Sequence, residues 1–205
     1  MSQQIPFPFL TLPPELRTKI LLHSLRHPTP IPLSSPSATY PHALLLVSSQ
    51  IHTEAQSLYF SSNTFTLTLH RHNDDALSPF LCSPHRFLVR SLRVVIQRWG
   101  ANDYFVRSFS PVLEDMILRG GLRRLVVGVR ESDVRVLERV GVGMERENWS
   151  VLKRLMRDPD LEDGKLMSMG RGEGGFNECD LWWRDVSWGQ YEARDNVVKD
   201  ADGCV

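Results

Sequence analysis

A strand, an amphipathic helix and a second strand follow one another in the middle of this chain, and that order most restricts what it can fold into. SLRVVI at residues 91–96 and RLVVGV at 124–129 are apolar, β-branched runs of strand length. Between them, residues 103–119 place Phe105, Phe109, Val112, Leu113, Met116 and Ile117 on one helical face, and Gly120 and Gly121 supply the stop. Two neighbouring strands joined through a helix run parallel, with a right-handed crossover. The segment therefore predicts a βαβ unit and an α+β or α/β fold.

The two strands also repeat. VRSLRVVI from Val89 and LRRLVVGV from Leu122 share one pattern at an offset of 33 residues: apolar, two variable, Leu, one variable, Val. The pattern matches the L-x-x-L-x-L core of a leucine-rich repeat, while the expected Asn is replaced by Gln97 in one copy and Arg130 in the other. Two copies fall short of the roughly three that a solenoid needs. The expected body is a compact, leucine-rich-repeat-like sheet and not a horseshoe.

Upstream, Pro13 and Pro14 stand where a helix tolerates a missing N–H, Glu15 suits the helix dipole, and Leu16, Ile20, Leu21 and Leu25 recur at helical spacing. This predicts a helix over 14–25. Residues 27–41 hold five prolines, so no regular element is expected there. Leu44, Val47, Ile51, Ala55 and Leu58 then predict one long helix over 42–60. Asn63 ends it, and Phe65, Leu67 and Leu69 alternate with Thr64, Thr66 and Thr68 as in a half-buried strand whose threonines face solvent or a neighbouring edge. Further helices are expected over 131–140 and 148–156.

Beyond Asp158 the composition turns acidic and glycine-rich, which makes packing doubtful. Residues 158–205 hold twelve acids against five Lys or Arg, and residues 86–146 hold twelve Arg against seven acids. The segment DLWWRDVSWGQYE from Asp180 carries Trp182, Trp183 and Trp188, aromatics that favour docking on the body or on a partner, with Leu181, Trp183 and Asp185 alternating as in an added strand that Gly189 limits. The expected organisation is an N-terminal region at 1–69, an α/β body at 70–157 and a tail at 158–205.

Lys plus Arg and Asp plus Glu are both 24, so no net field drives binding to nucleic acid or an anionic membrane. No apolar run approaches the roughly 20 residues of a membrane span. Three scattered cysteines without C-x-x-C spacing argue against a disulfide framework and fit a reducing compartment. The N-terminal stretch lacks the basic and apolar regions of a secretory signal, so the sequon at Asn148 reads as silent and the location as intracellular, cytoplasmic or nuclear.

FPFLTLPPELRTKILLHSL followed by ALLLVSSQIHTEAQSLYFSSNTFTL resembles the N-terminal region of the large fungal family of F-box-like proteins. The residues carrying the likeness are Leu12, Pro13, Glu15, Leu16 and Ile20, then Val47, Ser48, Gln50, Ile51, Glu54 and Ala55, then Asn63, Thr64 and Phe65. The resemblance implies F-box-like helices packed on the sheet, a partner-binding face at Leu12, Pro13, Leu16, Ile20 and Leu21, and docking on the Skp-type adaptor of cullin-based ubiquitin ligases. The body would then hold an unknown protein target.

Other residue patterns have blander readings. Leu12, Leu16, Ile20 and Leu21 also fit a helix packed into the protein's own core. His70, His72 and His85 have no further ligands at metal spacing except Asp74 and Asp75 and read as a solvated strand end, and GRGEGG from Gly170 lacks the Lys and Ser or Thr of a phosphate loop, so neither a metal nor a cofactor is expected and the glycines read as a flexible linker. Arg123, Arg124, Arg130 and Arg135 alternate with Glu131, Asp133 and Glu138 as on a salt-bridged surface. No G-x-S-x-G elbow or placed base suggests catalysis. The expected protein is a non-enzymatic interaction protein, with a stand-alone interaction module and a small enzyme of no recognisable motif as the alternatives.

Overall fold

The computed structural model of the chain describes residues 8–33, 40–70, 80, 82–97, 104–130, 144–169 and 183–185. A 3-10 turn at Phe9–Thr11 leads into α1 (Pro14–Leu25), with Pro14 at the first helical position and Pro13 extended before it. These are the predicted bounds.

The helix expected over 42–60 is two helices, α2 (His42–Leu45) and α3 (Ser49–Ser62). Ser48 causes the break. Its backbone is extended and its hydroxyl accepts the Ile51 N–H at 3.2 Å, an N-cap that outweighs the continuous apolar spacing. The expected stripe is accordingly interrupted: Val47 is turned outward, and the inward face of α3 is Ile51, Ala55 and Tyr59, at intervals of four, with Phe60 beside them. Tyr59 and Phe60 both meet Phe65 of the adjoining strand, with ring centroids 5.6 and 5.5 Å apart.

Among the described residues one sheet forms, from β1 (Ile31–Pro32), β2 (Thr64–Leu69), β3 (Ser91–Ile96), β4 (Arg124–Arg130), β5 (Asp163–Met169) and β6 (Trp183–Asp185), lying side by side in sequence order. The first five are parallel and β6 is antiparallel to β5. β1 corrects the expectation that the proline-rich stretch holds no regular element. Ile31 and Leu33 are buried, and the Leu33 N–H donates to the Thr66 carbonyl at 2.9 Å. Pro32 is tolerated because β1 is an edge strand.

The internal repeat is a true register. Leu92 stands opposite Leu125 and Val94 opposite Val127, and the leading residues Val89 and Leu122 are both buried. β5 adds a third copy, which corrects the expectation of two and of doubtful packing beyond Asp158. Leu166 stands opposite Val127, and Gly164 stands opposite Leu125, where the pattern calls for Leu. A Cβ at Gly164 would lie 2.7 Å from the Met156 carbonyl oxygen, so this copy has no room for the pattern's side chain. The turns repeat too: the Arg90 carbonyl accepts from the Arg123 and Arg124 amides, both at 2.9 Å, and the Arg123 carbonyl accepts from Glu162 and Asp163 at 2.9 and 3.1 Å.

The register separates two sheet faces. Phe65, Leu92 and Leu125 align on one, followed by Leu67, Val94, Val127 and Leu166, then Leu69, Ile96 and Val129. All belong to a single core that also takes Leu21 and Leu25 of α1, the inward side of α3, and residues of α4 (Ser110–Leu118) and α5 (Met144–Met156). Helices feeding this core therefore share one side of the sheet, as crossovers of a single hand require. The threonine face is less open than expected, because β2 is an interior strand: Thr66 is buried and the Thr64 and Ser91 hydroxyls lie 3.2 Å apart.

α4 continues from a π turn at Phe105–Phe109, and Phe105, Phe109, Leu113, Met116 and Ile117 are buried as predicted. Gly120 follows because a Cβ there would meet the Met116 carbonyl oxygen. The helix expected over 131–140 lies outside the described residues.

Candidate interaction surface

α1 and α3 lie side by side and point the same way. Near their N-terminal ends Arg17 meets Glu54, and at their C-terminal ends the Asn63 amide donates to the Leu25 and Tyr59 carbonyls, each at 2.9 Å, and accepts the His27 N–H at 2.8 Å. Asn63 thus uses both amide hydrogens and its oxygen to tie the two helix ends to the start of β2. A buried carboxamide is acceptable when its polar atoms are satisfied in this way.

Arg17 is the corresponding fixture at the other end. Its Nε and Nη2 donate to the two Glu54 oxygens at 3.1 and 2.8 Å, and Nη1 donates to the Leu12 carbonyl at 2.6 Å and the Leu10 carbonyl at 3.3 Å. Gln50 adds a further donor to Glu54 at 3.0 Å. The hydrogen bond to Glu54 raises the Arg17 pKa, while those from Arg17 and then Gln50 hold the Glu54 carboxyl below its ordinary range. The planar guanidinium can do this where Lys cannot.

With Arg17 turned inward, the face of α1 divides. Leu21 is 2 % exposed, whereas Leu16 is 46 % and Ile20 45 % exposed. The expectation that Leu16, Ile20 and Leu21 share one apolar face holds only for Leu21 on the buried side, where it follows Arg17 by four residues and precedes Leu25 by four. Leu12 is half-buried and Pro13 exposed. Leu46 and Val47, which the helical reading would turn inward, are 84 % and 62 % exposed between α2 and α3, and Leu10 on the 3-10 turn is exposed as well. Leu10 and the α2–α3 junction both stand at the N-terminal end of the α1–α3 pair. The Ser48 cap could have signalled the outward turn of Val47.

Trp183 lies in β6, a strand as the alternation predicts, and its backbone pairs with Met169. Trp182 and Trp188 lie outside the described residues, as do His72, Arg135 and the GRGEGG run. Among the described residues no three His, Cys, Asp or Glu side chains gather as metal ligands. Arg86 and Arg119 both pair with Asp115, at 2.8 and 3.0 Å, Arg154 pairs with Glu114, and Arg123 donates to the Asp160 carbonyl at 2.9 Å. The acids expected to face Arg123, Arg124 and Arg130, which are Glu131, Asp133 and Glu138, lie outside the described residues. Asn148 of the sequon is 4 % exposed, on the inward side of α5 with Leu152 and Leu155, where the fold leaves no room for a bulky glycan.

Fold and surface together define a mixed α/β protein with a sheet of five parallel strands and one antiparallel strand and a half-exposed apolar strip along its first helix. No helix among the described residues is long and apolar enough to cross a membrane. No protein-family profile matches the chain, and neither curated proteins nor solved structures yield a match.

Proposed function

We propose that this chain is a non-catalytic intracellular interaction protein that docks through the outward side of α1, with a Skp-type adaptor of cullin-based ubiquitin ligases as the partner and the sheet body as the target-holding part. The observation that carries the proposal is the exposure of Leu16 and Ile20 on a helix whose opposite side is anchored by Arg17, Leu21 and Leu25. Covering the remaining surface of these two residues stabilises a complex by on the order of 1 kcal/mol each.

Calorimetric titration of the purified chain with a purified Skp-type adaptor tests the reading. Binding that is lost in Leu16→Asp and Ile20→Asp, with the melting temperature unchanged, supports it. Absence of binding by the intact chain removes the adaptor.

A second reading then takes its place: a stand-alone interaction module in which the F-box-like pattern serves the fold. It draws support from three residues of that pattern: Asn63 and Phe65 are buried and Glu54 pairs with Arg17 of the neighbouring helix.

A further inference from the structure

We propose that the outer edge of β5 is a strand-acceptor site shared between copies of this chain: Trp183–Asp185 pairs with β5 of its own chain and exchanges onto β5 of a second copy. β5 ends the run of parallel strands. Without β6 it would present unpaired backbone N–H and C=O groups, a template for pairing with another chain. β6 covers it through three register pairs, Met167 with Asp185, Ser168 with Arg184 and Met169 with Trp183.

The connection between these strands is the second observation. Residues 170–182, thirteen in all, separate Met169 from Trp183, whereas an antiparallel hairpin needs only about two to five. Four of the first six are glycine. Thirteen residues span up to about 45 Å, enough to carry β6 to a neighbouring molecule. A strand that fits β5 in its own chain fits the identical β5 of another, and mutual exchange closes as a two-fold dimer with no new contact to invent. Because the tether keeps the local concentration of β6 near about the millimolar range, the closed monomer dominates in dilute solution and exchange grows with concentration.

The test uses the full chain with Cys82, Cys179 and Cys204 replaced by Ser. One copy carries Ser168→Cys and the other Arg184→Cys. These residues are direct cross-strand partners, and opposite residues in antiparallel pairs lie about 4.5–5.5 Å apart at Cα, within disulfide range. The two copies are mixed over a range of concentrations, oxidised and run on a non-reducing gel beside an out-of-register control, Lys165→Cys with Arg184→Cys. Exchange gives a covalent heterodimer that rises with concentration and exceeds the control several-fold. Light scattering on the unsubstituted chain should show dimer over the same range. If the Ser168→Cys, Arg184→Cys double variant closes only within its own chain and no heterodimer forms, the edge is private to each molecule and the proposal is overturned. If neither bond forms, the edge does not hold this strand and the proposal is likewise overturned.

Discussion

Arg17 grips Glu54 by two parallel hydrogen bonds across 37 positions of sequence, and with its remaining nitrogen holds the carbonyls of Leu10 and Leu12. One guanidinium thereby fixes both the long helix beside α1 and the turn before it. Glu54 has a depressed pKa, so its contribution to stability is complete above the ordinary carboxylate value of 4.5 and is lost as pH falls through the lower folded-state value. Glu54→Gln removes that dependence. Between about pH 7 and pH 3 the urea midpoint of the unsubstituted chain should fall further than that of the variant. Parallel midpoint curves would sink this expectation.

Asn63→Ala leaves the Leu25 and Tyr59 carbonyls and the His27 N–H without the partner they share. A loss of about 3 kcal/mol in denaturant unfolding is expected, since orphaned buried polar groups cost roughly 1–3 kcal/mol each and some will find water. A loss under about 1 kcal/mol would show that the amide is replaceable.

Two glycines should respond oppositely to alanine. Gly164→Ala forces a Cβ to within 2.7 Å of the Met156 carbonyl oxygen, whereas at Gly121 the nearest atom, Cγ of Arg90, lies 3.6 Å away. Thermal unfolding should place Gly164→Ala about 1–3 kcal/mol below the unsubstituted chain. Gly121→Ala should be level or slightly more stable, by about 0.4–1 kcal/mol, through the lower entropy of its unfolded state. Equal melting temperatures for the two variants would contradict the packing argument.

The apolar positions of the helical pair should likewise sort by side. Ile51→Asp buries an unpaired carboxylate in the core, at a cost of several kcal/mol against a total stability of about 5–15, and should abolish the native circular-dichroism transition. Leu16→Asp should stay within about 0.5 kcal/mol. A destabilised Leu16→Asp would mean that the strip serves the fold.

Periodicity located α1, β2, β3, α4 and β4 because each carries a clear helical or strand pattern and is bounded by Pro, Asn or Gly. β1 was hidden, since two residues among prolines have no period. β5 was hidden because Gly164 and the exposed Lys165 interrupt it, and only the parallel partner β4 reveals its register. Arg17 carries no local mark of its inward turn. Nothing local announces that Glu54 will complement it, so the division of Leu16 and Ile20 from Leu21 became visible only once α1 and α3 were side by side.

The sequential order of the parallel strands has a kinetic consequence. Each strand pairs only with the strand before and the strand after it, so no ladder waits for distant chain ends to meet. Register partners are separated by 27 residues from Phe65 to Leu92, 33 from Leu92 to Leu125 and 39 from Leu125 to Gly164. Closing the longest of these loops instead of the shortest costs only about 0.3 kcal/mol more, because loop entropy rises with the logarithm of length. Assembly can therefore start at the β3–α4–β4 unit and spread to either side one strand at a time, while the connections on the helical side lengthen or shorten with little effect on the rate.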